Sequence, residues 1–202
     1  MAPTVGDLVA AIDGLRVLDA GALNALRAAG ITHVTVARLG EEDLHEDAAA
    51  ARVAAACAGS GCTLGTAATG RVNLFAEADG LVVYERAALD AINRVDEAIT
   101  VAAVEPYARV DAGQILATIK IIPFAASHRS VAGAEVAART GNGPMLRLAT
   151  FTPRAIGLIQ TRLPGTADKV LAKTERTLTD RLAGMGSHLA ETRTVGHDTA
   201  EV

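Results

Sequence analysis

The chain has 202 residues with a formal charge of −4, and half of them are hydrophobic although only 2% are aromatic. That charge balance argues against general binding to nucleic acid or to an anionic membrane, so neither is expected as a partner. With Trp absent and Phe and Tyr rare, small aliphatic side chains must fill the core through close backbone approach.

Met1 leads into a helical pattern without the basic-then-apolar segment of a secretory signal, and no apolar run reaches the roughly 20 residues that span a bilayer. A cytoplasmic protein is expected. Leu15 to Arg38 reads as a helix followed by a strand. Asp19 is the N-cap, Leu18 staples onto Leu23, Leu23 and Leu26 form the buried stripe, and Gly30 stops the helix. Ile31 to Val36 alternates as a half-buried strand, with His33 on its solvated side. Gly40 to Ala58 reads as an Ala-rich helix with Glu41, Glu42 and Asp43 at its positive end and a packing stripe of Leu44, Ala48, Ala51 and Ala55. Glu42, His45 and Glu46 read as a solvated helix face rather than as metal ligands. No histidine lies near Cys57 and Cys62 to complete a zinc site, and the two read as small core or loop thiols rather than as a redox pair.

The chain is organised around Gly70 to Phe124, a β-rich centre. Strands are expected at Cys62–Thr69, Arg71–Phe75, Leu81–Tyr84, Ala98–Ala103 and Gln114–Ile122, with a short helix over Glu85–Asn93. In the last strand Ile115, Ala117, Ile119 and Ile121 share one face, while Lys120 lies on the other among isoleucines. Lys120 reads either as an edge-blunting lysine or as an anion-contacting one beside a cleft, within reach of Glu97. Ala125 to Gly143 reads as a helix or loop of small residues that links two units. Met145 to Thr150 reads as a strand.

From Arg154 the pattern becomes βαβ-like. Ala155 to Gln160 is a buried-strand run, Thr161 to Thr166 a loop, and a long helix follows with Leu171, Leu178, Leu182 and Met185 at helical spacing. Gly186 ends that helix, and His188 begins the next strand. A strand, a Gly-containing loop and a helix start place free N–H groups at one point, and Arg162, Lys169 and Lys173 add positive charge, a combination suited to a phosphate or other anion.

The run from Pro153 to Val202 resembles the start of the molybdopterin-binding domain of molybdenum-cofactor biosynthesis proteins. That family opens with a strand, a Thr-Gly-Asp-Glu-Leu loop and a helix begun by Asp-Ser-Asn. Thr161 matches the first loop threonine, Arg162 and Leu163 stand at the Gly and Asp positions, Lys173, Thr174 and Glu175 fall on the triplet, and His197-Asp198 falls near an acidic turn. Upstream, LRVLDAGALNALRAAGITHVTVARL resembles the segment leading into this domain in molybdopterin molybdotransferases. GRVNLFAEADGLVVYERAALDAINRVDEAITVA with QILATIKIIPFA resembles a subfamily fused ahead of a cytidylyltransferase-like domain.

The resemblance implies an α/β fold: a mixed α+β region over 1–143, then over 144–202 the first half of a doubly wound molybdopterin-binding domain. It further implies that a Gly-Gly-Ser-rich phosphate loop would lie beyond Val202. The implied role is binding of molybdopterin or a related pterin phosphate in a homodimer, with magnesium or molybdate in the full-length protein. Thr161, Arg162, Gly165 and Thr166 would hold the anion, with Lys173 and Thr174 on the first helix turns. No complete catalytic set is visible. The alternative is a non-catalytic module for dimerisation or for docking a nucleotidyltransferase.

Overall fold

A computed structural model describes residues 18–34, 36, 38–139 and 143–202. The fold is a mixed α/β one, with the elements grouped around one main core and a separate βαβ unit at the carboxyl end.

Helix α1 spans Ala20–Ala28 and is capped by Asp19, whose Oδ1 accepts a hydrogen bond from the amide of Ala22 at 2.8 Å. Leu26 is buried, but Leu23 is 39% exposed, so the expected stripe is half realised. Gly30 adopts φ +73°, the left-handed stop. The strand expected from Ile31 does not form among the described residues. Ile31–Val34 runs without a ladder partner and leaves Val34 exposed. The start of this segment, at 15–17, lies outside the described residues.

Strand β1, Asp43–His45, pairs antiparallel with β8, Ala125–Ser127. Helix α2 therefore starts only at Glu46 and runs to Cys57, with the His45 side chain as its N-cap acceptor. The expected stripe lies on the wrong side. Ala48, Ala51 and Ala55 are exposed, while Glu46, Ala49, Ala50, Val53, Ala54, Ala56 and Cys57 are buried. In a nearly uniform Ala run, periodicity has no contrast from which a face can be read. Both cysteines are free and buried. Burial pushes the Cys57 thiol up to about 12, and the Cys62 thiol donates to the carbonyls of Ser60 and Leu146.

The β-rich centre is a four-stranded antiparallel sheet in the order β2 (Cys62–Leu64), β3 (Arg71–Ala76), β7 (Ile115–Ile121), β5 (Ile99–Ala103). Its inner face carries Val72, Leu74, Ala117, Ile119, Ile121, Ile99 and Val101, with β3 and β7 packed under α2. A register shift at Leu74/Phe75 breaks the simple alternation of β7, so Leu116 is buried and Ile115 is exposed. The β5 edge is covered locally by helix α3, Arg86–Asn93. The carboxamide of Asn93 donates to the Val101 carbonyl at 2.9 Å and accepts from its N–H at 2.8 Å. This blunts an otherwise open ladder.

A second sheet orders β6 (Arg109–Val110), β4 (Gly80–Val83) and β9 (Arg147–Thr150). Gly80 is required there, because a Cβ would lie 2.5 Å from the Ala149 carbonyl oxygen. In the segment after Ala125, read as a helix or loop linking two units, the helix forms, and it is core rather than linker. Strand β8 leads into helix α4, His128–Ala137, which is capped by Ser127 and buries Val131 and Ala134 against α2. An ion pair ties the two helices, with the Arg52 guanidinium donating to both Glu135 oxygens at 2.8 and 2.9 Å.

The carboxyl-end unit is β10 (Ala155–Arg162), α5 (Asp168–Ala183) and β11 (His188–Gly196), with the two strands parallel. The run read as a buried strand is only half covered. Its residues alternate between exposed and intermediate, and Gln160 alone is buried, at 8%. On α5, Leu182 is 6% exposed, but Leu171 and Leu178 are only half-buried. The physical reason is the sheet's width: two strands cannot cover a 16-residue helix. Among the described residues, no helix is long and apolar enough to cross a membrane.

Candidate functional site

The loop between β10 and α5 is built by its Pro-Gly pair. The Thr166 amide donates to the Leu163 carbonyl at 3.0 Å, and Gly165 holds φ +87°. Pro at the second position and a left-handed Gly at the third define a type II turn. The Thr166 hydroxyl closes the loop from the other side, accepting from the Leu163 amide at 3.2 Å. Nothing lies within 4 Å of where a Gly165 Cβ would sit, so the turn is open above its glycine.

The turn delivers the chain into α5 through Ala167, an N-cap in extended conformation whose side chain makes no capping bond. The first N–H groups of a helix have few partners inside it, and the Ala167 side chain offers them no acceptor; its carbonyl takes the Val170 amide at 3.0 Å, which leaves the Asp168 and Lys169 amides to face the loop. The positive end of α5 therefore faces the loop uncapped, beside the carboxyl ends of two parallel strands. Arg162, the last residue of β10, projects its guanidinium to the same place, where Nη2 lies 2.6 Å from Oδ1 of Asp168. Across the sheet Thr161 pairs with Val195, and its hydroxyl lies 2.9 Å from Nδ1 of His197 just past β11.

Four of the six residues singled out in the sequence, Thr161, Arg162, Gly165 and Thr166, are thus brought together around one helix start. Lys173 and Thr174 are not. Lys173 lies about 7.5 Å up the axis from Asp168 and about 140° around it. The Thr174 hydroxyl bonds back to the Val170 carbonyl of its own helix at 3.1 Å. Sequence reasoning missed the part played by Asp168. Its carboxylate occupies Arg162 and sits in the first turn, where the helix dipole favours an acid. The signal was available, as an acidic residue at the first helical position following an arginine at a strand end.

Chemically, the arrangement offers backbone donors, a hydroxyl and a planar cationic fork to an anion, and it already holds one carboxylate as a competitor. Among the described residues, no group of three or more His, Cys, Asp or Glu is placed to hold a metal ion. No family model, curated protein or solved structure matches this chain.

Proposed function

We propose that this chain binds a phosphate-bearing pterin, molybdopterin or a relative, at the loop Thr161–Asp168, as a step in molybdenum-cofactor maturation in the cytoplasm. The observation that carries the anion half is the uncapped start of α5 facing Arg162 at the end of β10. The pterin half rests on the resemblance of the segment from Pro153 onward. The phosphate would accept from the first α5 amides and from Arg162, displacing the Asp168 carboxylate from the guanidinium. The test is a calorimetric titration with molybdopterin. Arg162→Ala should weaken binding at least tenfold and leave the fold intact, since an exposed charge contributes little to stability. Binding untouched by Arg162→Ala removes the loop from the proposal.

A second reading, a dimerisation or docking module, is favoured by a different observation. The β10–β11 pair has only two strands, and Ile159 is 52% exposed on it while α5 packs against β11. A homodimer joined through this sheet would bury Ile159. Sedimentation of wild type against Ile159→Lys separates the readings, because a dimer lost on substitution supports the module.

A further inference from the structure

The outer face of the four-stranded sheet carries a charge arrangement independent of the α5 loop. Arg71 on β3 and Lys120 on β7 are direct cross-strand partners, and Thr100 of β5 completes the row. Strand β7 is central, so Lys120 does not blunt an edge. Like charges placed directly opposite each other disfavour a sheet. Neither side chain belongs to any of the ion pairs among the described residues, and Glu97 does not pair with Lys120. Glu46 and Asp47 begin α2 on the inner side, where Asp47 accepts the Gly70 amide at 2.8 Å.

Beside Arg71 lies a groove of about 420 Å³ lined by Gly65, Thr66, Thr69, Arg71, Asn73 and Phe75. Its rim is held by a tight turn, Ala68–Arg71, with Thr69 and Gly70 both left-handed at φ 49° and 68°. Asn73 uses Oδ1 to accept from the Thr118 hydroxyl at 2.8 Å, which leaves its NH₂ group to face a ligand. The free groups along this row are therefore donors: a guanidinium, an ammonium and an amide. At the far end Gly65 lets the Phe75 ring lie close, since a Cβ there would meet ring atom Cε2 at 3.0 Å. Arg71 to Phe75 spans about 13 Å along the strand.

We propose that this groove binds a phosphate monoester of a planar ring, of nucleoside monophosphate size. The phosphoryl group lies between Arg71 and Lys120 with the Asn73 amide beneath it, and the ring lies on Phe75. A planar fork and a point charge together neutralise a dianion, which explains why the sheet keeps two facing cations.

The test is amide chemical-shift mapping of the full ¹⁵N-labelled chain titrated with adenosine 5′-monophosphate at fixed ionic strength. Inorganic phosphate and adenosine serve as the partial ligands. Saturable shifts are expected at Gly65, Thr66, Arg71, Asn73 and Lys120, with the monophosphate binding tighter than either part. Arg71→Ala and Lys120→Gln should each weaken binding at these amides at least tenfold, while Arg162→Ala should leave the shifts at these amides unchanged. The same spectra report whether each variant is folded, and Lys120→Gln, at an exposed position, stands in if Arg71→Ala is not. Shifts reproduced by chloride, shifts confined to the α5 loop, equal affinity for inorganic phosphate, or binding indifferent to both substitutions would each overturn the proposal. Since Arg162→Ala probes the other site, failure of one proposal is distinguishable from failure of the other.

Discussion

Replacing Asp168 with asparagine should move stability and anion affinity in opposite directions. The carboxylate lies 2.6 Å from the Arg162 guanidinium, with the two side chains 87% and 46% exposed. Unit charges at that separation attract by about 1.6 kcal/mol in water, and side-chain ordering and salt reduce this to about 0.2–1 kcal/mol for exposed pairs. Its place in the first turn of α5 adds about 0.3–1 kcal/mol through the helix dipole. Asp168→Asn should therefore cost about 1 kcal/mol, a fall of a few degrees in Tm for a chain of this size. A phosphate dianion seated on the α5 amides about 5 Å from that carboxylate is repelled by about 1.7 kcal/mol at high dielectric. Removing the charge should tighten binding about tenfold. The assay pairs a thermal melt with calorimetric titration at constant ionic strength, using the same phosphate-bearing pterin. Affinity that is unchanged, or that falls along with Tm, would refute the seating of the anion at this helix start.

Gly80→Ala should destabilise by about 2–3 kcal/mol or prevent folding, because the new methyl meets backbone rather than a movable side chain; a denaturant melt against Gly157→Ala, a position with open space, checks this. Leu182→Ala should cost about 2–5 kcal/mol, and Leu178→Ala, only half-buried, about 1–2 kcal/mol; equal costs would place the α5 contact face elsewhere. Hydrogen bonds from Arg52 hold Glu135 below the usual glutamate range. Its stability contribution is therefore present above the ordinary value and is lost as pH falls through the depressed one. Glu135→Gln should lower Tm at pH 7 and flatten the wild-type loss of Tm below about pH 4.5; parallel curves would show that the pair contributes nothing.

The turn chemistry of this chain was legible because it is local. Asp19 as a cap, Gly30 as a stop, the Pro-Gly turn at 164–165 and the strand-helix-strand unit after Arg154 all follow from a few neighbouring residues. What could not be read depends on partners distant in sequence. Ala125–Gly143 carries so many small residues that it resembles a linker, yet Val131 and Ala134 pack against α2 because small side chains permit close helix approach. The wrong face was read on α2 for the same reason, as Ala48 and Ala49 look alike until something lies against one of them. At the candidate site the loop residues were found through turn and cap rules. Lys173 was drawn in by its charge and by the resemblance, and Thr174 by the resemblance alone, and helical geometry turns both away. The facing pair Arg71 and Lys120 is a property of register between strands 45 residues apart at Asn73 and Thr118, which one strand's pattern cannot reveal.

The most direct test of the anion site is amide chemical-shift mapping of the ¹⁵N-labelled chain during titration with a phosphate-bearing pterin. The largest saturable shifts should fall at Asp168 and Lys169, where helix amides acquire a charged acceptor, and they should vanish in Arg162→Ala. Saturable binding that leaves those two amides unmoved would contradict the account.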